Sequence, residues 1–276
     1  MRGNNERFDI SLNTTVNNLP NIMQTAERVS SNDVSDNVIY QRHIVAYDFA
    51  TKHIGGKVLE VGSGEGYGIE ILAPFATEYM AIDKFQTQLP VSLQKFEQVS
   101  FRQVSVPPLP FEDNSFDAVV SFQVIEHIEE DEALVKEIHR VLKPGGKLVL
   151  TTPNRKMSLT RNPWHVREYT PDELQLLLNK YFAKTDMQGV YGNEKVMDYY
   201  EKNKASVKRF TRFDLFNLQY RLPRWVLQIP YDLLNRINRR LLLKGNQQLV
   251  GDIQLSDYYT APATEKCFDL LAIAFK

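Results

Sequence analysis

Val58-Leu59-Glu60-Val61-Gly62-Ser63-Gly64-Glu65-Gly66-Tyr67-Gly68 decides the fold of this chain. An apolar strand runs into an acid, then into a loop with glycine at every second position, then into a helical pattern. A second strand follows and ends at Asp83. Glycine lets a backbone take positive φ and approach a ligand closely. A strand, a glycine loop and a helix in a parallel sheet form the crevice where open α/β folds bind nucleotides.

Two carboxylates narrow the choice of nucleotide. A phosphate favours helix N–H groups and cations. Glu60 and Asp83 instead suit an ammonium and a ribose diol. S-adenosylmethionine carries both and has no phosphate. The dinucleotide fingerprint G-x-G-x-x-G is absent. Counted from Gly62 its last glycine would fall on Tyr67, and counted from Gly64 on Ile69. The phosphate-cradling G-x-x-x-x-G-K-[ST] is absent too. The plain alternative is an ordinary βα turn.

The 276 residues suffice for one large domain, or for one domain with a sizeable insertion. A net charge of −1 argues against a nucleic-acid binder. The single cysteine, Cys267, excludes an intramolecular disulfide and a multi-cysteine zinc site, and no metal is expected. No apolar run reaches membrane-spanning length, and Met1 to Thr15 lacks a signal-peptide core. The expected location is the cytoplasm.

Residues 1–37, rich in Asn and Ser, read as an irregular arm. Helical spacing follows over 38–50, and strands over 57–61, 78–82, 99–104, 116–122 and 146–152. The clearest helix is 130–142, stopped by Pro144-Gly145-Gly146. Thr170-Pro171 opens another helix, with Thr170 as N-cap, and a strand covers 182–190. Alternating strands and helices predict a mostly parallel Rossmann-like α/β sheet with helices on both faces. The core comprises 38–190 and 253–276, with a last strand at Phe268 to Phe275.

Residues 191–252 interrupt this core as a helical, basic and aromatic insertion. From Lys202 to Lys244 there are eleven Lys or Arg and two acids, Asp214 and Asp232. Pro230 to Leu243 reads as an amphipathic helix, with Leu233, Leu234, Ile237 and Leu241 on one face and Arg236, Arg239 and Arg240 on the other. Gly245 would stop it. Three roles fit the insertion: a grip on a phosphorylated or lipid-linked glycan, peripheral contact with an anionic membrane through 202–244, or a packed lid or dimer contact with a solvated charged face.

Four motifs carry a resemblance. They are Leu59-Glu60-Val61-Gly62-Ser63-Gly64-Glu65-Gly66, Leu109-Pro110-Phe111-Glu112-Asp113-Asn114-Ser115-Phe116-Asp117, Val124-Ile125-Glu126-His127-Ile128 and Arg140-Val141-Leu142-Lys143-Pro144-Gly145-Gly146. With them the chain resembles the class I S-adenosylmethionine-dependent methyltransferases of the small-molecule group. The resemblance implies seven strands, the seventh antiparallel. Shorter segments are similar to methyltransferases of bacterial surface-polysaccharide gene clusters: Glu27-Arg28-Val29, Arg42-His43, Tyr47-Asp48-Phe49-Ala50, His165-Val166-Arg167-Glu168-Tyr169-Thr170 and 252–276. One departure is Ser105, where the group often carries an acid for the adenine amine.

On this reading Glu60 serves the ammonium of the cofactor, S-adenosyl-L-methionine, directly or through water. Gly62, Ser63, Gly64, Gly66 and Tyr67 form its loop, Asp83 and Lys84 lie at the ribose, and Ser105 and Val106 meet the adenine. Ser121, Phe122 and Gln123 face the methionine end. Tyr40 and His43 either close over the cofactor or pack the helix. His127 either acts as base beside the methyl group or orders its loop. His165 and Tyr169 either line the acceptor pocket with catalytic roles or belong to a solvated loop. Glu126 braces the loop, and Asp117 satisfies local backbone.

The expected reaction is O- or N-methylation of a small molecule, a sugar or a lipid-linked glycan precursor. Carbon methylation of a quinone-like lipid and a non-catalytic cofactor-binding scaffold are the alternatives. Nucleic acid is not an expected partner: Ser121-Phe122-Gln123-Val124 lacks the Pro-Pro-aromatic motif of base amine methylation, and Cys267 is misplaced for pyrimidine carbon methylation.

Overall fold

The computed structural model describes Val29 and residues 33–85, 95–212, 214 and 217–276. Most of the arm expected at 1–37, Glu27 and Arg28 included, therefore lies outside the described residues. Eight strands form one sheet: β1 (Lys57–Val61), β2 (Glu78–Asp83), β3 (Val99–Gln103), β4 (Phe116–Phe122), β5 (Leu142–Pro153), β6 (Lys184–Gly192), β7 (Tyr258–Pro262) and β8 (Asp269–Phe275). Their order is β3-β2-β1-β4-β5-β8-β6-β7. The first five run parallel, and β8 is antiparallel to both β5 and β6.

The helices are α1 (Asn37–Ala50), α2 (Ile69–Leu72), α3 (Asp131–Val141), α4 (Pro171–Leu178), α5 (Glu194–Thr211), α6 (Leu218–Arg221), α7 (Arg224–Gly245) and α8 (Gln247–Asp252). Side chains alternate across a strand, and β1 applies that rule to both faces. Leu59 and Val61 join Leu134 and Ile138 of α3 and Leu174 of α4 in one apolar layer. Val58 joins Ile44 and Tyr47 of α1 and Leu72 of α2 in the other. The expected cap of α4 is a full capping box, with Thr170 and Glu173 bonding each other's backbone N–H.

The strand count departs from the expected seven. Tyr258-Tyr259-Thr260-Ala261-Pro262 adds an antiparallel edge to β6. Its five residues end in proline, which an edge strand tolerates and a central one does not. Strand β5 also starts earlier than expected, because Leu142 pairs with Phe116 before a register shift brings Lys147 opposite Ala118.

The insertion comprises α5 to α8, and it inverts the expected orientation of its long helix. That helix runs on to Gly245 and is capped at Asn246. Leu233, Leu234, Ile237 and Leu241 are exposed, whereas Asn238 and Leu242 are buried. Arg239 points inward and pairs with Asp36 at 2.6 Å, both side chains about nine-tenths buried. The three arginines therefore do not form one solvated face. Asn238 bonds Ser206 and Asn203 of α5. A third apolar cluster, including Val38, Val196, Tyr199, Leu242 and Phe268, joins the insertion to α1 and the sheet.

Removing one partner of a buried ion pair leaves an uncompensated charge, at a cost of about 3–5 kcal/mol. Asp36→Ala should lower stability by that order in denaturant unfolding. Asp36→Ala combined with Arg239→Met should recover most of the loss. Equal stability of Asp36→Ala and the native chain would show that the pair does not anchor α7.

Candidate functional site

Strand order reverses between β1 and β4, and the crevice at their carboxyl ends is where an open α/β sheet takes its ligand. A small cavity of about 110 Å³ lies there. Its wall includes Gly62, Ser63, Gly64 and Tyr67 from the glycine loop, His43 from α1, Phe122 at the end of β4 and Gln123 just after it. Those seven residues were expected from sequence to meet the cofactor, and the fold brings them together. The volume suits the amino-acid end of a cofactor, since whole small-molecule sites run to several hundred Å³.

The loop is tied to β2. Both Gly62 N and Ser63 N donate to Ile82 O, and Gly64 N donates to Asp83 Oδ2 at 2.9 Å. Asp83 Oδ1 accepts from Phe85 N. A carboxylate has about four lone-pair sites, so Asp83 can hold the loop and still receive two ribose hydroxyls. Gly64 has φ +55°, and a Cβ there would meet only open space. Ser63 Oγ, also in the cavity wall, is buried without a hydrogen-bond partner. A bare backbone floor and an orphaned hydroxyl fit the polar amino-acid end of S-adenosylmethionine.

Glu60, expected on the ammonium side, lies behind the cavity wall. It is 1% exposed and absent from the cavity wall. Tyr47 OH donates to its Oε1 at 3.0 Å and Tyr79 OH to its Oε2 at 2.9 Å. Burial pushes its carboxyl up to about 7, against the pull of the two hydroxyls. Glu60 thus holds Tyr47, whose ring packs against Gly68 at the end of the glycine loop. The aromatic wall continues through Tyr47, which packs edge-on against Phe122 and Tyr67, and through Tyr40 against Tyr67. Tyr67 OH lies 3.3 Å from His43 Nδ1. Gly68 admits this wall, because a Cβ there would lie 1.8 Å from the Tyr47 ring.

Other expected contacts lie further off. Gly66 supports the loop by donating to Ser63 O. Ser121 is fully buried with its Oγ unpartnered and does not reach the wall. Lys84 and Ser105 are exposed beyond β2 and β3, while Val106 packs on the core beneath them. Tyr169 is placed away from the cleft, a correction to the sequence reading. It is 2% exposed in the core layer, and its hydroxyl donates to Asp131.

Wall residues that were not singled out from sequence for this cavity include Arg42, Tyr47, Thr151 and Asp269. Asp269 opens β8 in front of the apolar run Leu270 to Phe275. Its carboxylate is buried, pairs with Arg42 Nε at 2.9 Å, and keeps Oδ1 without a hydrogen-bond partner. Burial raises its carboxyl, and the Arg42 charge opposes that. The local sign was an acid set against a fully apolar strand.

A second cavity, of about 650 Å³, meets the first at Arg42, His43 and Gln123. Gln123 has φ +56°, in the sparsely populated left-handed region, and is held by hydrogen bonds to Thr151 O and Oγ1. Strained backbone of this kind collects at functional sites. Polar groups in its wall include Glu126, His127, Asn162, His165 and Glu168. Helices α5 and α7 complete its wall with Val196, Tyr199, Val207, Phe210, Leu227, Pro230 and Leu234, and with the polar Asn203, Asn235, Asn238 and Arg239.

The histidines differ in their partners. His127 Nδ1 faces Trp164 O at 3.1 Å, which makes Nδ1 the N–H and Nε2 the basic nitrogen. His165 Nδ1 lies 2.6 Å from Glu168 Oε1, and Asn162 Nδ2 lies 2.9 Å from its Nε2. Both nitrogens of His165 are therefore engaged in holding the loop. Glu126 accepts from Thr152 Oγ1, and its carbonyl accepts from Val166 N and Arg167 N, which braces the loop as expected. Asp117 does likewise for Lys57 N. Glu126, His127 and His165 each bring one ligand-type atom within 4.8 Å of the others, a cluster that the sequence reading did not expect.

Comparison with known proteins agrees with this geometry. A family model described as a methyltransferase domain matches residues 59–150. A Mycolicibacterium smegmatis protein named as a probable S-adenosylmethionine-dependent methyltransferase is 30% identical, over 94% of this chain and 98% of its own. A Xanthomonas oryzae protein named as a ubiquinone biosynthesis O-methyltransferase is 39% identical over 37% of this chain and 44% of its own. The YcgJ protein of Bacillus subtilis shares the fold, with a TM-score of 0.52 at 19% identity, over 85% of this chain and 99% of that one.

Two outcomes test this site. Hydrogen bonds to a charged group are worth roughly 1.5–3 kcal/mol each. Asp83→Ala should therefore weaken cofactor binding at least about tenfold by calorimetry, and unchanged affinity in a folded variant would remove Asp83 from the ribose. Glu60 holds its proton more tightly folded than unfolded, so its contribution to stability is greatest below the unfolded carboxyl value of 4.5. That contribution is lost as pH rises through about 7. The loss is on the order of 3 kcal/mol. Thermal unfolding of Glu60→Gln should be markedly less pH-dependent over this window than that of the native chain.

Proposed function

The chain belongs to the S-adenosylmethionine-dependent methyltransferases, and on that premise we propose that it methylates a hydroxyl or amine of a sugar or glycan precursor carrying an apolar, lipid-like portion. The observation that carries the reading is the junction of the two cavities at Arg42, His43 and Gln123. The larger cavity carries Glu126, His127, His165 and Glu168 in its wall, and α5 and α7 add apolar side chains such as Val207, Phe210, Leu227 and Leu234 beside Asn203, Asn235 and Asn238. A polar head would lie by His127, with an apolar tail beneath the insertion.

S-adenosylmethionine supplies a methyl group already activated on a sulfonium. The protein's main task is therefore alignment of the acceptor atom with that methyl group. Gln123 and Arg42, shared by both cavity walls, orient the acceptor at the junction. His127 Nε2 takes the acceptor proton. Glu168, with Ser158 and His165 bonded to its carboxylate, stiffens the loop that carries these groups. The apolar helices exclude water from the transfer path.

The apolar side chains of α5 and α7 also give a specific reason to test phenolic lipids. Adenosylhomocysteine release should be measured with sugar acceptors bearing and lacking a lipid chain, and with quinol-type lipids. The expected outcome is release with the lipid-bearing sugar. Release with quinol lipids alone would replace the glycan reading, and none with any acceptor would favour the scaffold reading.

Removal of a general base typically costs 10²–10⁴-fold in rate. His127→Ala should lower kcat by about a hundredfold, with little change in acceptor KM. A kcat that stays at the native value would leave His127 with loop ordering alone.

A further inference from the structure

The outward face of α7 is unlike the rest of the surface. Trp225, Ile229 and Leu233 are 75%, 66% and 59% exposed, and Leu241 is 51% exposed. Arg240 and Lys244 are exposed on the same helix, and Arg236 is half-buried. At 3.6 residues per turn, Trp225, Ile229, Leu233, Arg236, Arg240 and Lys244 fall within an arc of roughly 100°. Apolar and cationic groups therefore interleave along one stripe instead of occupying opposite faces. The one acid of the helix, Asp232, is turned to Trp164 Nε1 at 3.0 Å. Tyr220 and Arg221 of α6 extend the exposed surface.

We propose that this stripe docks the protein, in the plane of the interface, onto a lipid surface bearing anionic headgroups. Two alternatives fit it less well. A twofold dimer would set the same patch against itself, bringing its cations together with no acids on the stripe to neutralise them. A membrane-spanning role fails because no helix among the described residues is long and apolar enough. An anionic bilayer meets both halves of the pattern: aliphatic and indole groups enter the headgroup boundary, and the cations meet lipid phosphates.

The inward side of the same helix supports this occupant. Leu227, Pro230 and Leu234 line the large cavity, and Leu234 is also exposed to solvent. The docked helix thus sets one wall of the large cavity beside the lipid. The docking itself stands on the exposed stripe and does not depend on the acceptor.

The test is co-sedimentation of the full chain with vesicles of phosphatidylcholine alone and of phosphatidylcholine with phosphatidylglycerol. Binding should be at least about tenfold tighter to the anionic vesicles and should weaken with salt. Trp225→Ser, Ile229→Ser and Leu233→Ser together should abolish binding to both. Arg236→Gln, Arg240→Gln and Lys244→Gln together should remove the anionic preference. Cofactor affinity, measured by calorimetry, should stay native in both variants and so report an intact core. No vesicle binding by the native chain overturns the proposal. So does native binding by either variant, or a dimer dissolved by the serine substitutions in a chain that ignores vesicles.

Discussion

A carboxylate in an apolar layer organises this protein. Glu60 sits between α1 and the sheet, where an unpaired charge would be prohibitive. Two tyrosine hydroxyls, one from α1 and one from β2, make its burial tolerable. The pairing holds Tyr47 over the glycine loop and joins helix, loop and two strands in one hydrogen-bonded unit. Asp83 and Ile82 O fasten the same loop from β2. The floor of the crevice is thus bonded to β2 and backed by the Tyr47 ring.

The junction of the two cavities is a meeting of remote segments. Arg42 and His43 come from the first helix, Gln123 from the end of β4, and Asp269 from the last strand. The strand order makes them neighbours: β5 follows β4, and β8 returns beside β5. The Arg42–Asp269 pair joins α1 to β8 in the wall of the smaller cavity. The loop 154–169 then supplies His165 and Glu168 as the cavity's polar end, tied to the insertion through Trp164 and Asp232.

The insertion is held by polar contacts as well as by its apolar cluster. Asn238 and Arg239 point inward, satisfied by Ser206, Asn203 and Asp36. Inward polar groups displace the helix's apolar residues to the surface. An amphipathic pattern ordinarily places its apolar side on the core. In α7 that rule fails because the neighbouring elements offer carboxylate, amide and hydroxyl partners. The result is one helix that walls a cavity inside and carries an exposed stripe outside.

The amino-acid sequence alone determined the elements whose causes are local. The β1–glycine loop–α2 unit, the strand ending in Asp83, the capped start of α4 and the Pro144-Gly145 turn into β5 all follow from neighbouring residues. So does the cofactor class, through the glycine loop and two strand-end acids. Tertiary structure decided whatever required partners far along the chain. It buried Glu60 behind the cavity wall, where Tyr47 and Tyr79 supply hydroxyls. It took Tyr169 to Asp131 and out of the cleft. It brought Asp269 to the cofactor cavity, and it turned Arg239 inward to an aspartate 203 positions away. Periodicity identifies an element and its two faces. Which face turns inward is set by the groups waiting on the other side.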